Sequence, residues 1–150
     1  MTAIKLIAKN KRATYDYFIE ETYEAGLVLV GTEVKALREG KCTMTEAFCT
    51  IDAKSEVWIH QLKIAPYTFG TYANHEETRK RKLLLNLQEI VKLEKDLATK
   101  GQTLIPTKIY FKGSRVKLEI ATAKGKKLYD KREATAKKDV ERKLRQGTME

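Results

Sequence analysis

Hydrophobic and polar positions alternate in several short stretches of the chain, and this period of two is typical of β-strands. Residues 15–23 are rich in aromatic and β-branched side chains, and residues 27–30 form a short apolar run. We interpret these two stretches as strands joined by a turn at residues 24–26. Residues 47–52 and 56–64 predict a second pair of strands. In the latter strand, Val57 and Ile59 share one face, while Trp58, His60 and Leu62 share the other.

A helical period replaces the alternation in two places. Residues 33–40 predict a short helix that Thr32 caps and Gly40 ends. Residues 87–100 predict a longer helix, with Asn86 as its N-cap, Glu89 completing a capping box and Gly101 as its stop. The stripe of the longer helix comprises Leu87, Ile90, Val91, Glu94, Leu97 and Ala98.

The remaining segments complete the predicted order of elements. Residues 3–11 indicate a loose basic lead-in, and residues 67–80 a long loop. Residues 103–111 and 115–123 predict a hairpin, since Val116, Leu118 and Ile120 alternate with polar residues.

Six short, mostly antiparallel strands with two or three helices predict a mainly β fold with α-helices. Closure removes exposed strand edges, so we expect an OB-like closed antiparallel barrel in residues 1–123. Residues 124–150 contain ten Lys and Arg, five Asp and Glu, and few large apolar residues. We expect them to form a basic C-terminal tail that is disordered alone and becomes helical on a polyanionic surface.

The charge of the chain narrows the classes of partner. Its 30 Lys and Arg exceed its 20 Asp and Glu by ten, which favours nucleic acid, an anionic membrane or an acidic protein. No stretch of about 20 apolar residues occurs, so we expect no membrane partner. Cys42 and Cys49 lack metal-ligand spacing, which predicts reduced, buried thiols, no metal site and a cytoplasmic protein.

Motifs of known enzyme classes and cofactor sites are absent from the sequence. We therefore expect no catalytic residues and no cofactor. One enzymatic alternative remains, because His75 with a carboxylate, or the pair His60 and His75, could serve a small ribonuclease.

Basic clusters lie next to aromatic residues in three places. The clusters are residues 9–12, which include Lys11 and Arg12, residues 79–82, which include Arg81 and Lys82, and residues 124–127, which include Lys124, Lys126 and Lys127. Cations contact phosphates and aromatic rings stack on open bases, so the pattern favours structured RNA with unpaired loops. A ribosomal protein or a general OB-fold single-strand binder is an open alternative.

Several non-basic residues have two interpretations. Glu24 could accept hydrogen bonds from base amino groups, although at a turn it is more simply a solvated residue. Glu33 suits the first turn of a helix, Asn86 suits a cap, and Leu84 suits the core.

Five stretches resemble the SsrA-binding protein family, whose members are also called small protein B. They are residues 10–13, 17–21, 24–41 apart from the apolar run 27–30, 79–86 and 123–132. This resemblance implies an OB-like barrel that, as a monomer, binds the tRNA-like domain of transfer-messenger RNA and delivers it to stalled ribosomes. It also implies a tail that reaches the decoding centre and enters the empty message channel.

The resemblance also implies roles for individual residues. Asn10, Lys11, Tyr17, Glu24, Leu84 and Asn86 are expected on the RNA-binding surface. The basic clusters and the matching stretches add Arg12, Glu33, Lys35, Arg81, Lys82, Lys124 and Lys126 to this RNA-binding set. The part expected to act on the ribosome comprises Gly125, Lys127, Asp130, Lys131 and Arg132.

Overall fold

The computed structural model describes residues 3–67 and 75–126, which form mainly β-strands with three helices. The strands are β1 (Ile4–Lys9), β2 (Tyr17–Leu27), β3 (Cys42–Thr43), β4 (Phe48–Ile51), β5 (Val57–His60), β6 (Lys63–Ile64), β7 (Arg81–Leu84), β8 (Thr103–Lys112) and β9 (Arg115–Gly125). The helices are α1 (Lys11–Asp16), α2 (Gly31–Arg38) and α3 (Leu87–Lys100).

Six of these strands pair in a closed ring, in the order β8, β4, β5, β7, β2, β9 and back to β8. The ring closes on β8 because that strand is long. Its Leu104 pairs with Cys49 of β4, and its length pairs with β9. The second half of β8 also pairs with β1, and β3 and β6 form a separate two-stranded sheet.

The core lies inside the ring and under α3. Its fully buried side chains include Ile59, Leu93, Ile109, Leu118 and Ile120. Burial of a large apolar side chain stabilises a fold by about 1.5–3 kcal/mol, so these residues hold the ring closed.

The predictions for α3 and for the last hairpin are confirmed. The helix spans the predicted residues, Glu89 accepts the Asn86 N–H at 3.2 Å, and Gly101 has the left-handed φ of 63°. The strands β8 and β9 meet at a turn where Gly113 has a φ of 64°. The predicted stripe of α3 is partly wrong, since Leu87 and Val91 are exposed, whereas Leu93 and Asp96 are buried.

The prediction of two strands joined at residues 24–26 is wrong. Residues 17–27 form one continuous strand, β2, and Gly26 pairs with both Lys117 and Leu84. A Cβ atom on Gly26 would lie 3.3 Å from the Cβ of Leu84. Gly26 therefore permits close packing of two strands and does not make a turn.

The sixth strand of the ring follows directly after the predicted loop 67–80, in residues for which no strand was predicted. Residues 81–84 form β7 between β5 and β2, whereas residues 28–30, predicted as a strand, only connect β2 to α2, with Val30 as the N-cap. The predicted strand 56–64 is also interrupted, because Gln61 has a φ of 59°. The positive φ shifts the alternation of side chains, so Leu62 is buried in the core. The prediction that Leu62 shares a face with Trp58 and His60 is therefore wrong.

The prediction of a loose lead-in is wrong as well. Residues 4–9 form β1, which pairs antiparallel with β8, and Ile7 and Ala8 pack against the core. Thr32 is not the cap of α2, because the helix begins at Gly31 and Val30 is its N-cap. Of the predicted tail, residues 127–150 lie outside the described residues.

Candidate nucleic-acid interface

Glu24 lies in the middle of β2, on the outer face of the ring, and not at a turn as predicted. Its carboxylate accepts hydrogen bonds from the Tyr110 hydroxyl at 2.5 Å and from the Lys112 ammonium at 3.2 Å. Both donors come from β8, so contacts between two strands fix one exposed carboxylate. A carboxylate held in this way can accept hydrogen bonds from base amino groups, which a cation cannot do.

The hydrogen bond from Tyr110 has an electrostatic consequence for both groups. It holds the pKa of Glu24 below its ordinary value, against the smaller opposing effect of desolvation, and Lys112 adds to the lowering. Burial and the nearby Glu24 carboxylate raise the pKa of Tyr110 above its ordinary value of 10.0, so the hydroxyl keeps its proton at neutral pH. Glu24 is therefore charged and Tyr110 is a donor at physiological pH.

Leu84 lies close to Glu24 on the same face. It pairs with Gly26, two residues along β2 from Glu24, and 53% of its surface is exposed. Asn86, also exposed, follows two residues later at the start of α3. The prediction from spacing that Leu84 belongs to the core is wrong, because its neighbour Leu83 takes that place.

Three cations of the last hairpin complete this group. Glu24, Lys112, Arg115 and Lys117 line one groove, and Arg115 and Lys117 also line the adjoining groove at Gly26 and Leu84. We name the set Glu24, Leu84, Asn86, Lys112, Arg115 and Lys117 the Glu24 surface. The three cations were missed in the sequence because they do not form a run, although the polar positions of the predicted hairpin contain them.

The other end of β2 brings a second set of predicted residues together. Tyr17, the first residue of β2, pairs with Gly125, the last residue of β9. The Lys126 N–H donates to the Asp16 carbonyl at 2.8 Å, and its ammonium lies 5.0 Å from the Phe18 ring centre. We name the set Lys11, Arg12, Tyr17, Lys124, Gly125 and Lys126 the tail-root surface.

Asn10 is buried next to the tail-root surface. It is 8% exposed, its Nδ2 donates to the Pro106 carbonyl at 2.9 Å, and its Oδ1 accepts the Arg12 N–H at 3.2 Å. Asn10 therefore caps α1 and ties it to β8, and its side-chain groups are engaged inside the protein. The expectation that it contacts RNA directly is not compatible with this burial.

Glu33 and Arg81 belong to a buried ionic cluster, which corrects their prediction as RNA contacts. Both are fully buried, and their side chains form an ion pair. The Arg79 Nη2 donates to Glu33 at 2.5 Å, and Arg81 Nη1 donates to the Leu62 carbonyl at 2.6 Å. Burial alone would raise the pKa of Glu33, but Arg79, the Val30 amide and Arg81 together hold it below its ordinary value.

The remaining predicted cations are exposed or half-buried. Lys35 lies 5.5 Å from the Tyr67 ring centre, Arg12 pairs with Glu46 at 3.3 Å, and Lys82 pairs with Glu56 at 3.6 Å. Lys127, Asp130, Lys131 and Arg132 lie outside the described residues.

Both histidines make structural contacts. The Nε2 of His75 donates to the Ile64 carbonyl at 2.8 Å, and its Nδ1 lies 2.9 Å from the Thr32 hydroxyl. The Nε2 of His60 lies 2.7 Å from the Thr50 hydroxyl. The two histidines are thus engaged at separate places, which gives no support to a paired acid and base.

Within residues 3–67 and 75–126, no helix is long and apolar enough to span a membrane, and no group of three or more His, Cys, Asp or Glu could hold a metal ion. Cys42 and Cys49 are free thiols, and burial raises the pKa of Cys42 to about 12.

Comparison with known proteins connects this geometry to a family. The family model described as SmpB protein matches residues 7–150. The SsrA-binding protein of Nocardioides sp. (strain ATCC BAA-499 / JS614) is 53% identical over 143 residues, covering 95% of this chain and 89% of the relative. That of Thermoanaerobacter pseudethanolicus is 52% identical over 141 residues, covering 94% and 90%.

A solved structure is also similar to this chain. It is described as "tmRNA-SmpB: a journey to the center of the bacterial ribosome". The similarity has a TM-score of 0.68 at 47% identity and covers 81% of this chain and 85% of the other. At this identity, the likeness concerns the sequence as well as the fold.

Proposed function

The chain belongs to the SmpB protein family, and from this premise we propose that it binds the tRNA-like domain of transfer-messenger RNA and delivers it to stalled ribosomes. The name SsrA-binding protein of its relatives and the ribosomal complex of the similar structure support this function.

The Glu24 surface is the observation on which the RNA-binding role depends. It combines a fixed carboxylate, an exposed leucine and three cations within two adjoining grooves. The cations provide phosphate contacts, Leu84 packs against a base or ribose, and Glu24 with Asn86 reads polar base edges. Such a combination suits a folded RNA with exposed bases better than a regular duplex, whose base edges are largely inaccessible.

The tail-root surface lies where the folded part of the chain ends, at Lys126. Tyr17 and Glu24 are seven positions apart in β2, which corresponds to roughly 23 Å along the strand. The Glu24 surface and Lys126 therefore lie toward opposite ends of β2. We assign RNA binding to residues 1–126 and ribosomal contact to residues 127–150, which include Lys127, Asp130, Lys131 and Arg132.

This division differs by three residues from the one expected in the sequence. Lys124 and Gly125 pair with β2, and the Lys126 N–H bonds to the Asp16 carbonyl. These contacts favour counting residues 124–126 with the folded part.

The ring of six antiparallel strands supports description of the fold as an OB-like barrel. The histidines make contacts with Thr32, with the Ile64 carbonyl and with Thr50, and these structural contacts support a non-enzymatic role. A function on the ribosome implies a cytoplasmic protein.

Competition binding tests the proposed function. Labelled tRNA-like domain RNA is bound to the full chain and challenged with unlabelled tRNA-like RNA, unrelated tRNA and single strands. We expect only the first competitor to displace the label at comparable concentration. Equal displacement by all three would contradict the proposal and favour a general RNA-binding protein.

A further inference from the structure

A second outward-facing surface adjoins the Glu24 surface across β7. The side chains that face outward on β4, on β5, on β7 and at the residue before β7 are Phe48, Thr50, Trp58, His60, Lys82 and Lys80. The side chains that alternate inward on the same segments are buried: Cys49, Val57, Ile59, Arg81 and Leu83. We name the outward set the Trp58 platform.

The aromatic rings of the platform are held in a defined geometry. Phe48 and His60 are cross-strand partners whose ring centres lie 5.0 Å apart with planes inclined by 15°. The Trp58 Nε1 donates to Asp52 Oδ2 at 3.0 Å, which fixes the indole plane. Cross-strand pairs of this kind stabilise a sheet, yet Phe48 is still 45% exposed, so its ring offers a free contact area.

Cations accompany these rings. The Lys80 ammonium lies 4.6 Å from the Trp58 ring centre, and Lys82 is the cross-strand partner of Trp58. The six outward positions contain no carboxylate; the acids Asp52 and Glu56 lie at the rim, bonded to Trp58 and Lys82. One exposed ring and two half-buried rings with adjoining cations match the requirements of unpaired nucleotides, whose bases stack while their phosphates need positive charge.

We propose that the Trp58 platform stacks unpaired nucleotides of the same transfer-messenger RNA that contacts the Glu24 surface. The proposal rests on the proposed function, since it assumes that this RNA binds at Glu24 and Leu84.

The Trp58 platform is continuous with the Glu24 surface, so the same RNA can reach both. Lys82 and Leu84 both face outward from β7, two residues apart, which places them roughly 7 Å from each other. A nucleotide chain leaving Leu84 meets Lys82 and then Trp58 on the next strand. A base that stacks on the indole displaces the Lys80 ammonium, which then reaches the adjoining phosphate.

Trp58 is the only tryptophan of the chain, so its fluorescence reports directly on the platform. The full-length protein is titrated with tRNA-like domain RNA while Trp58 emission, acrylamide quenching and the anisotropy of labelled RNA are measured together. We expect the emission to fall with the midpoint of RNA binding, and acrylamide access to decrease in the complex.

Substitutions test whether stacking contributes affinity. Trp58→Leu should weaken RNA binding about 5- to 100-fold, whereas Trp58→Phe, which keeps an aromatic face, should remain within about threefold of the wild type. Lys80→Gln should reduce the slope of log affinity against log salt by about the amount that one phosphate contact contributes. Lys54→Gln removes the same charge from the turn between β4 and β5 and should leave this slope unchanged. Lys80 is exposed, so its variant remains informative if Trp58→Leu fails to fold.

The outcomes separate this inference from the proposed function. RNA binding without any change in Trp58 emission would overturn the platform and leave the RNA-binding role intact. Absence of RNA binding by anisotropy would contradict the proposed function itself. Quenching that occurs only when ribosomes are added without transfer-messenger RNA would assign the platform to ribosomal RNA and overturn the proposal.

Discussion

The Tyr110 hydroxyl donates a 2.5 Å hydrogen bond to the Glu24 carboxylate across 86 positions of sequence. The ring of strands brings them together, because β9 pairs with β2 on one side and with β8 on the other. Tyr110 is itself buried, so its hydroxyl is a rigid donor at the base of the Glu24 surface. Glu24 is consequently a fixed hydrogen-bond acceptor on the outer face of the ring.

Replacing Tyr110 with phenylalanine should disorder the carboxylate without removing it. We expect the pKa of Glu24 to rise toward its ordinary value of 4.5, since the hydrogen bond from Tyr110 is the largest cause of its lowering. RNA affinity should fall about 3- to 10-fold at neutral pH. Carboxyl NMR titration and filter binding measure the two effects, and an unchanged Glu24 pKa would refute the role of Tyr110.

Gly26→Ala tests the close approach of β2 to Leu84. The added Cβ would lie 3.3 Å from the Leu84 Cβ, so Leu84 must move by a few tenths of an ångström. We expect a few-fold loss of RNA affinity with a change of at most about 1 kcal/mol in unfolding free energy. The matched control is Gly31→Ala, where no atom lies within 4 Å of the added Cβ. Equal affinities of the two variants would count against Leu84 as an RNA contact.

Glu33→Gln should damage the fold, because it leaves Arg81 charged and buried without its partner. Removal of one member of a buried ion pair costs about 3–5 kcal/mol of unfolding free energy. Denaturant unfolding measures this loss. A variant that folds as stably as the wild type but binds RNA poorly would restore Glu33 as a direct RNA contact.

The pH dependence of stability should show the contribution of the same buried ionic cluster around Glu33. The folded protein holds the pKa of Glu33 below its ordinary value of 4.5, so the unfolded state binds the proton more readily. The stabilisation from this group is therefore complete above pH 4.5 and is lost as the pH falls through the lowered value. The decline of stability below pH 4.5 should be shallower in Glu33→Gln than in the wild type, and parallel curves would exclude this contribution.

Salt dependence tests the cations of the Glu24 surface. Lys112→Gln, Arg115→Gln and Lys117→Gln should each reduce the slope of log affinity against log salt by nearly one, because each removes one phosphate contact. Binding isotherms between 50 and 300 mM salt, on the order of the range over which such contacts are screened, measure the slope. Unaltered slopes in all three variants would place the RNA elsewhere on the protein.

Local signals were sufficient for only part of the fold. The helix at Leu87–Lys100 and the hairpin of β8 and β9 were predicted nearly to the residue, because caps, periodicity and a glycine turn agree there. Gly26 was misread as a turn because its role depends on Leu84, 58 positions away. The strand β7 was missed because its sequence is two basic residues followed by two apolar ones, which shows no alternation.

The candidate site shows the same limit. Of the residues implied by the family resemblance, Glu24 and Leu84 lie near each other, because Leu84 pairs with Gly26, two residues from Glu24. Charge alone, however, selected Arg81, whose guanidinium is buried against Glu33, and missed Arg115 and Lys117. The sequence gives the number of cations. It does not show which face of a strand each cation occupies, because a bulge or a residue with positive φ shifts the alternation of side chains.

The central claim is that RNA binding and ribosomal action belong to different parts of the chain. Its most direct test is a protein ending at Lys126, which keeps the contact of that residue with Asp16. Affinity for the tRNA-like domain and tagging of nascent chains on stalled ribosomes are measured on the same preparation. We expect the dissociation constant to stay within about threefold of the wild type at fixed salt, and tagging to be abolished. Loss of RNA affinity as complete as the loss of tagging, in a truncated protein that is still folded, would contradict the claim.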